Sequence, residues 1–202
     1  PTFTPTPTAT VVPPTFTPTP TALVQKLSTS QLVEMVRPSV VLIVTELPGG
    51  DTGGGTGIIY SAEGLVLTNH HVVTGATSIR VTATNAAGIE QSVIANLLGT
   101  DADVDLAVLK LGGGPYRPIQ FGSARNIALG DEVIALGFPL FDVVGGSLTV
   151  TKGIVSSFRN DGSRDVIQHQ ASINPGNSGG PLISSDGLVV GVNTYILRYS
   201  QS

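Results

Sequence analysis

The chain has 202 residues and a formal charge of −4, and its ten basic residues lie scattered, which excludes the basic stripe that a nucleic-acid surface needs. Apolar residues make up 41% and charged residues 12%, enough for a sizeable core, but with no Trp, four Tyr and six Phe that core must be built from Val, Ile, Leu and Ala. The absence of Cys removes disulfides, thiolate chemistry and Cys-based zinc sites.

Twenty-five Gly and fourteen Pro imply many tight turns and favour an all-β chain. Residue 1 is Pro and the sole Met is Met35, so the natural start is expected upstream, where a signal peptide or anchor has room. No run within the chain is long and apolar enough to span a bilayer.

The chain opens on a Pro/Thr segment, residues 1–27, in which PTFTPTPTA occurs twice. Proline at every second or third place blocks helix and ladder bonding, so this is expected to be an extended or disordered stalk of about 3 Å per residue. Such stalks hold a domain away from a surface, which hints at an extracytoplasmic location. Residues 28–37 predict a short helix capped by Ser28 or Ser30, with Leu32, Val33 and Val36 on its apolar face and Pro38 ending it.

Short β-type runs follow at 40–46, 55–60, 64–69, 77–84, 91–99 and 106–111. A second series covers 131–138, 147–158, 165–171, 180–184 and 187–196. Strands every eight to twelve residues without long helical periods predict a sandwich or barrels. Two halves of similar length favour two small barrels: residues 28–112 with the helix, then 113–202 after a connection near Gly112–Pro118.

Gly176-Asn177-Ser178-Gly179-Gly180-Pro181 carries the strongest chemical signal. Glycines on both sides let the backbone turn sharply, expose the Ser178 hydroxyl, and aim the amides of the Gly176, Asn177 and Ser178 loop at one point, chiefly Gly176 and Ser178 N–H. A nucleophile and an oxyanion hole then come together. A bare Gly/Ser turn would be the plain alternative.

A serine needs a base, and the chain has three histidines. His169 reads as a bystander, and of His70 and His71 at most one should face a cleft. Asp105, opening the run Leu106-Ala107-Val108-Leu109, fits the acceptor that orients such a base. Asp101 and Asp103 fit solvated turn positions. The DADVD spacing fails as a calcium loop, because Leu106 stands where Gly is required and Gly112 where Glu is required.

The order His, Asp, Ser in TNHHVV, DVDLAVLK and INPGNSGGPL resembles the trypsin-like serine peptidases, and most of all their HtrA/Deg (DegP-like) branch, from about residue 28 to 196. The resemblance implies two six-stranded antiparallel β-barrels with the active site between them. It selects His71, the residue directly before the Val pair, as the base beside Asp105 and Ser178. Gly191-Val192-Asn193-Thr194 resembles the family's GVNT strand, which implies that Thr194 orients Asp105 and that Thr194, Tyr195 and Ile196 line the substrate groove.

Ser172, Ile173 and Asn174 fall by the same likeness at the P1 pocket. None is a carboxylate, so a small or medium aliphatic P1 residue is expected rather than Arg or Lys. Asn177 stands where zymogens of this fold carry Asp, so activation by a newly cut N-terminus is not expected. The chain stops at Gln201-Ser202 before the family's closing strand, so the second barrel is expected to lack its last strand.

The likeness further implies polypeptide substrates, protein quality control outside the cytoplasm, a homotrimer, and no metal or other cofactor. The rivals are a catalytically silent scaffold on the same fold and a stalked surface β-module.

Overall fold

The computed structural model describes residues 27–139, 146–160, 162 and 164–194. The expected stalk, except Leu27, and Tyr195 and Ile196 lie outside the described residues. The first element, α1 (Thr29–Val36), is capped by Ser28. The Ser28 hydroxyl accepts from Gln31 N–H at 3.3 Å while the Gln31 side chain accepts from Ser28 N–H at 2.9 Å, a reciprocal cap. Pro38 then turns the chain through a single 3₁₀ turn, Arg37–Ser39. The helix buries Leu32 and Val36.

Seven strands follow in one antiparallel sheet: β1 (Val40–Glu46), β2 (Thr52–Ile59), β3 (Leu65–Thr68), β4 (Ser78–Thr84), β5 (Glu90–Ile94), β6 (Asn96–Asp101) and β7 (Leu106–Lys110). Their order is β5-β4-β1-β2-β3-β7-β6. The two edge strands are joined by Ala95 alone, whose N–H donates to Ile79 O at 2.8 Å. The run expected at 91–99 is therefore one bent segment that serves both edges, which closes the sheet into a barrel of six chain runs. Val41, Ile43, Ile59, Val66, Val81 and Leu109 fill it, each fully buried.

A glycine-rich strand is ordinarily weak, yet Gly53, Gly54 and Gly55 of β2 pair with Thr45, Val44 and Ile43. The close approach explains it. A Cβ on Gly55 would stand 2.8 Å from both Ser178 O and a Val72 methyl, and one on Gly57 would meet Val66 at 2.6 Å.

The second sheet has the order β10-β9-β8-β11-β12, built from β8 (Glu132–Gly137), β9 (Thr149–Asn160), β10 (Asp165–His169), β11 (Pro181–Ser184) and β12 (Val189–Val192). Beside β12 runs a short parallel stretch that the sequence did not announce. Val189 N–H donates to Gln120 O at 3.0 Å, and Gly122 N–H to Val189 O at 2.8 Å. It is too short, between Pro118 and Gly122, to leave an alternating pattern. The result is the expected two-barrel architecture, nearly all β.

The expected connection is itself packed structure. Tyr116 is buried in the first core, its hydroxyl donates to the Gly112 carbonyl, and it accepts from Gln91 Nε2 at 2.8 Å. The chain then crosses to the second sheet at Ile119. A shared core joins the sheets: Val40 and Ile58 from the first, Leu136, Ile183 and Val189 from the second, with Leu32 of α1 over the seam.

Among the described residues no helix is long and apolar enough to cross a membrane, and no group of three or more His, Cys, Asp or Glu side chains could hold a metal.

Ile58 is fully buried in this shared core. Ile58→Ala should lower unfolding free energy by about 2–5 kcal/mol, read from urea denaturation. A loss below about 1 kcal/mol would mean that the seam does not hold the sheets together.

Candidate active site

β3 ends at Thr68, and after Asn69 the chain makes one helical turn, α2 (His70–Val73). Val72 and Val73 are buried in the first core, which leaves the neighbouring His71 side chain half exposed at the seam. His70 serves the turn through its backbone, its carbonyl accepting from the Thr74 N–H and hydroxyl.

Asp105, just before β7, adopts a left-handed backbone at φ 56°, which costs a non-glycine residue about 1 kcal/mol. Four contacts hold it there. Asn69 Nδ2 donates to its carbonyl at 2.8 Å, and His71 N–H to Oδ1 at 3.0 Å. The imidazole Nδ1 lies 3.0 and 2.9 Å from Oδ1 and Oδ2. From the far sheet, Thr194 Oγ1 donates to Oδ2 at 2.6 Å. Arg164, beyond β9, also reaches across and donates to Val104 O at 3.0 Å.

Burial opposes ionisation of Asp105, but the hydrogen bonds from Thr194 and His71 outweigh it and hold the carboxyl below its ordinary 3.8. With Nδ1 donating to the carboxylate, the neutral imidazole presents Nε2 as an acceptor on its other side. Asp101 closes a local turn, its Oδ1 accepting from the Asp103 and Val104 amides.

The serine loop contains two successive turns. Asn177 N–H donates to Asn174 O and Gly180 N–H to Asn177 O, each at 3.0 Å. Gly179 N–H donates to Asn193 O at 2.8 Å and Asn193 N–H to Gly180 O at 2.9 Å, which pins the loop to the chain beyond β12. Gly176 has φ 96°, and a Cβ there would stand 2.4 Å from Phe138 O, so only glycine fits.

Among the described residues Gly176 and Ser178 N–H donate to nothing, whereas Asn177 N–H is engaged and its side chain is buried. Asn177 N–H is thus not a free donor. Its turn geometry spends the amide.

The structure brings His71, Asp105 and Thr194 together and ties Ser178 to them through Thr194, whose carbonyl accepts from Ser178 Oγ at 3.2 Å. No hydrogen bond joins Ser178 Oγ to His71. His169 pairs with Val155 on β9, and burial holds its pKa below the ordinary value. Ser172 is exposed with its carbonyl bonded to Thr151 Oγ1, Ile173 packs on the second sheet's core, and Asn174 is exposed. Asn69 was missed in the sequence, although a polar residue next to a histidine pair at a strand end was there to be seen.

A carboxylate held below its unfolded pKa contributes stability that is complete above that unfolded value and is lost as pH falls through the folded one. Thr194→Val should therefore destabilise the protein by about 1.5–3 kcal/mol at pH 6. The difference from wild type should shrink as pH drops below about 3.8. Urea midpoints from pH 6 to 2 measure it, and a gap independent of pH would separate Thr194 from the carboxylate.

Residues 55–192 match the family model described as trypsin-like peptidase domain. "Protease Do-like 1, chloroplastic" of Arabidopsis thaliana is 36% identical over 88% of this chain and 43% of its own length. A DegP-like protein of Chlamydia muridarum, named as a periplasmic serine endoprotease, is 43% identical over 74% of this chain and 30% of its own. The chain thus spans less than half the length of these relatives. The solved "HtrA-type protease AlgW with tripeptide" superposes with a TM-score of 0.76 at 38% identity, over 86% of this chain and 56% of that one. The chain belongs to the trypsin-like peptidases and, within them, to the HtrA/Deg branch.

Proposed function

We propose that the chain is a serine endopeptidase that cleaves polypeptides through an acyl-enzyme, with Ser178 as nucleophile, His71 as base and Asp105 as its orienting partner. The observation that carries this reading is the seat of Asp105: a partly buried carboxylate at the seam, bonded to His71 Nδ1 on one side and Thr194 on the other.

Ser178 Oγ turns from Thr194 O toward His71 Nε2, gives it its proton, and forms a bond to the substrate carbonyl carbon. The carbonyl electrons move onto oxygen, where Gly176 and Ser178 N–H receive them. Collapse breaks the C–N bond, and His71 passes its proton to the leaving amine. Water then repeats the sequence on the ester: His71 removes its proton as the hydroxyl adds to the carbonyl carbon, the bond from that carbon to Ser178 Oγ breaks to release the acid, and His71 returns the proton to Ser178 Oγ. The scheme calls for no metal or other cofactor.

The HtrA/Deg relationship supports unfolded proteins outside the cytoplasm as substrates, a homotrimer as the assembly, and a groove formed with Tyr195 and Ile196. The non-carboxylate residues Ser172, Ile173 and Asn174 support a small or medium aliphatic P1 side chain. One observation favours a silent scaffold instead, namely the Ser178 hydroxyl resting on Thr194 rather than on His71.

A fluorophosphonate probe separates the two. Wild type should label and Ser178→Ala should not, while His71→Ala should reduce peptide hydrolysis by about 10⁴-fold or more. A folded wild-type protein that neither labels nor hydrolyses would establish the scaffold. In a matched peptide panel, Val, Ala or Leu at P1 should exceed Arg or Lys by at least about 10-fold in kcat/KM, and a preference for the basic residues would overturn the pocket assignment.

A further inference from the structure

Thr56 lies in the middle of β2, paired with Leu42 of β1, and is fully buried. Its backbone N–H donates to Ser178 O at 2.8 Å, and its carbonyl accepts from Thr68 Oγ1 at 2.7 Å. Its hydroxyl donates to Gly176 O at 2.7 Å and accepts from Phe138 N–H at 2.9 Å. One residue of the first barrel thus binds the loop at 176 and at 178, the strand before α2, and the chain leaving β8. The hydroxyl has one proton, which is spent on Gly176 O, and it accepts one bond, from Phe138 N–H.

Gly176 is where the loop is least constrained by itself. Without a side chain and at φ 96°, its two flanking peptide planes have a wide range open to them. The following plane is clamped on both faces: its carbonyl by Thr56 Oγ1 and its N–H, that of Asn177, by Asn174 O. The preceding plane is confined because Gly176 lies against Phe138 and Pro139, where a built Cβ would come within 2.4 and 2.8 Å. The Phe138 N–H, one peptide before this wall, donates to the same hydroxyl and so anchors the residue whose carbonyl forms it.

We infer that Thr56 is a positioning residue for the oxyanion hole: its buried hydroxyl fixes the Gly176–Asn177 peptide and the Phe138 wall together, so that Gly176 and Ser178 N–H converge on one point. The inference rests on the peptidase reading for its catalytic consequence, though the clamp itself does not. Two donors on the second barrel are aimed by a residue of the first, and the effect belongs to the transition state, where charge develops on the oxygen.

Thr56→Val keeps the shape and removes the hydroxyl, while Thr56→Ser keeps the hydroxyl. Both are made in the full chain beside wild type and Ser178→Ala. Thr56→Val should lower kcat by about 10–100-fold with KM within about twofold. The affinity of a peptide aldehyde should fall by the same factor as kcat/KM, and Thr56→Ser should recover to within about threefold of wild type. Amide exchange at Asn177 and Phe138 should quicken by about tenfold in Thr56→Val and stay unchanged in Thr56→Ser.

A folded Thr56→Val with wild-type kcat, a loss confined to KM, or a Thr56→Ser as impaired as the Val variant would overturn the assignment. If wild type hydrolyses nothing, the peptidase reading fails by itself and exchange alone decides the clamp. If Thr56→Val does not fold, wild-type exchange still decides: the Phe138 and Asn177 amides must be as protected as those inside β8, and rapid exchange there would refute the clamp.

Discussion

The carboxylate of Asp105 is where the two sheets meet chemically. Its position comes from the first barrel, at the mouth of β7, yet one of its oxygens is held by Thr194, which follows β12 of the second. His71 is oriented by the same carboxylate through both its backbone and its ring. Without the seam there is no such seat. The apolar contacts of Ile58 and Leu136 therefore support the chemistry as directly as the polar ones do, because they fix the distance that Thr194 has to bridge.

The strands were legible because their physics is local. The runs 40–46 and 106–110 stand out as β1 and β7 by their apolar content, while their inward faces, which include Thr45, are set by the fold because both runs are apolar almost throughout. The run 91–99 misled in one respect: nothing local says that Ala95 is a corner, because the bend is imposed by the bond from its amide to Ile79 on another strand. The stretch Gln120–Gly122 left no pattern at all, since its ladder partner is the distant Val189. Tyr116 shows the same limit. A Gly/Pro-rich segment reads as a connection, and only the fold reveals that its aromatic ring plugs the first core.

For the site, the separation is between residue type and direction. Ser178, the His70–His71 pair and Asp105 stand out because glycines, a strand end and an apolar run mark such places, and only the family likeness selects His71 from the pair. The roles of Asn69 and Thr56 depend on what they face across the fold, the carbonyl of Asp105 and that of Gly176, and spacing carries no trace of it. The direction of the Ser178 hydroxyl, toward Thr194 O, belongs to the same class.

A chain without cysteine must hold its barrels together by other means. Here the side-chain hydrogen bonds that cross between the sheets are Thr56 to Gly176, Phe138 N–H to Thr56, Thr194 to Asp105 and Arg164 to Val104. Each is directional and so defines a position within a few tenths of an ångström, yet each contributes only about 1–3 kcal/mol and can be broken and remade. Burial sharpens the arrangement, because a buried hydroxyl or amide that loses its partner suffers the full cost of desolvation, which disfavours intermediate geometries. The seam is thereby rigid in its resting arrangement without being covalently locked. Of the two ways to fix a serine loop between barrels, this chain uses the reversible one, and the left-handed glycine at 176 is the point at which that choice can be felt.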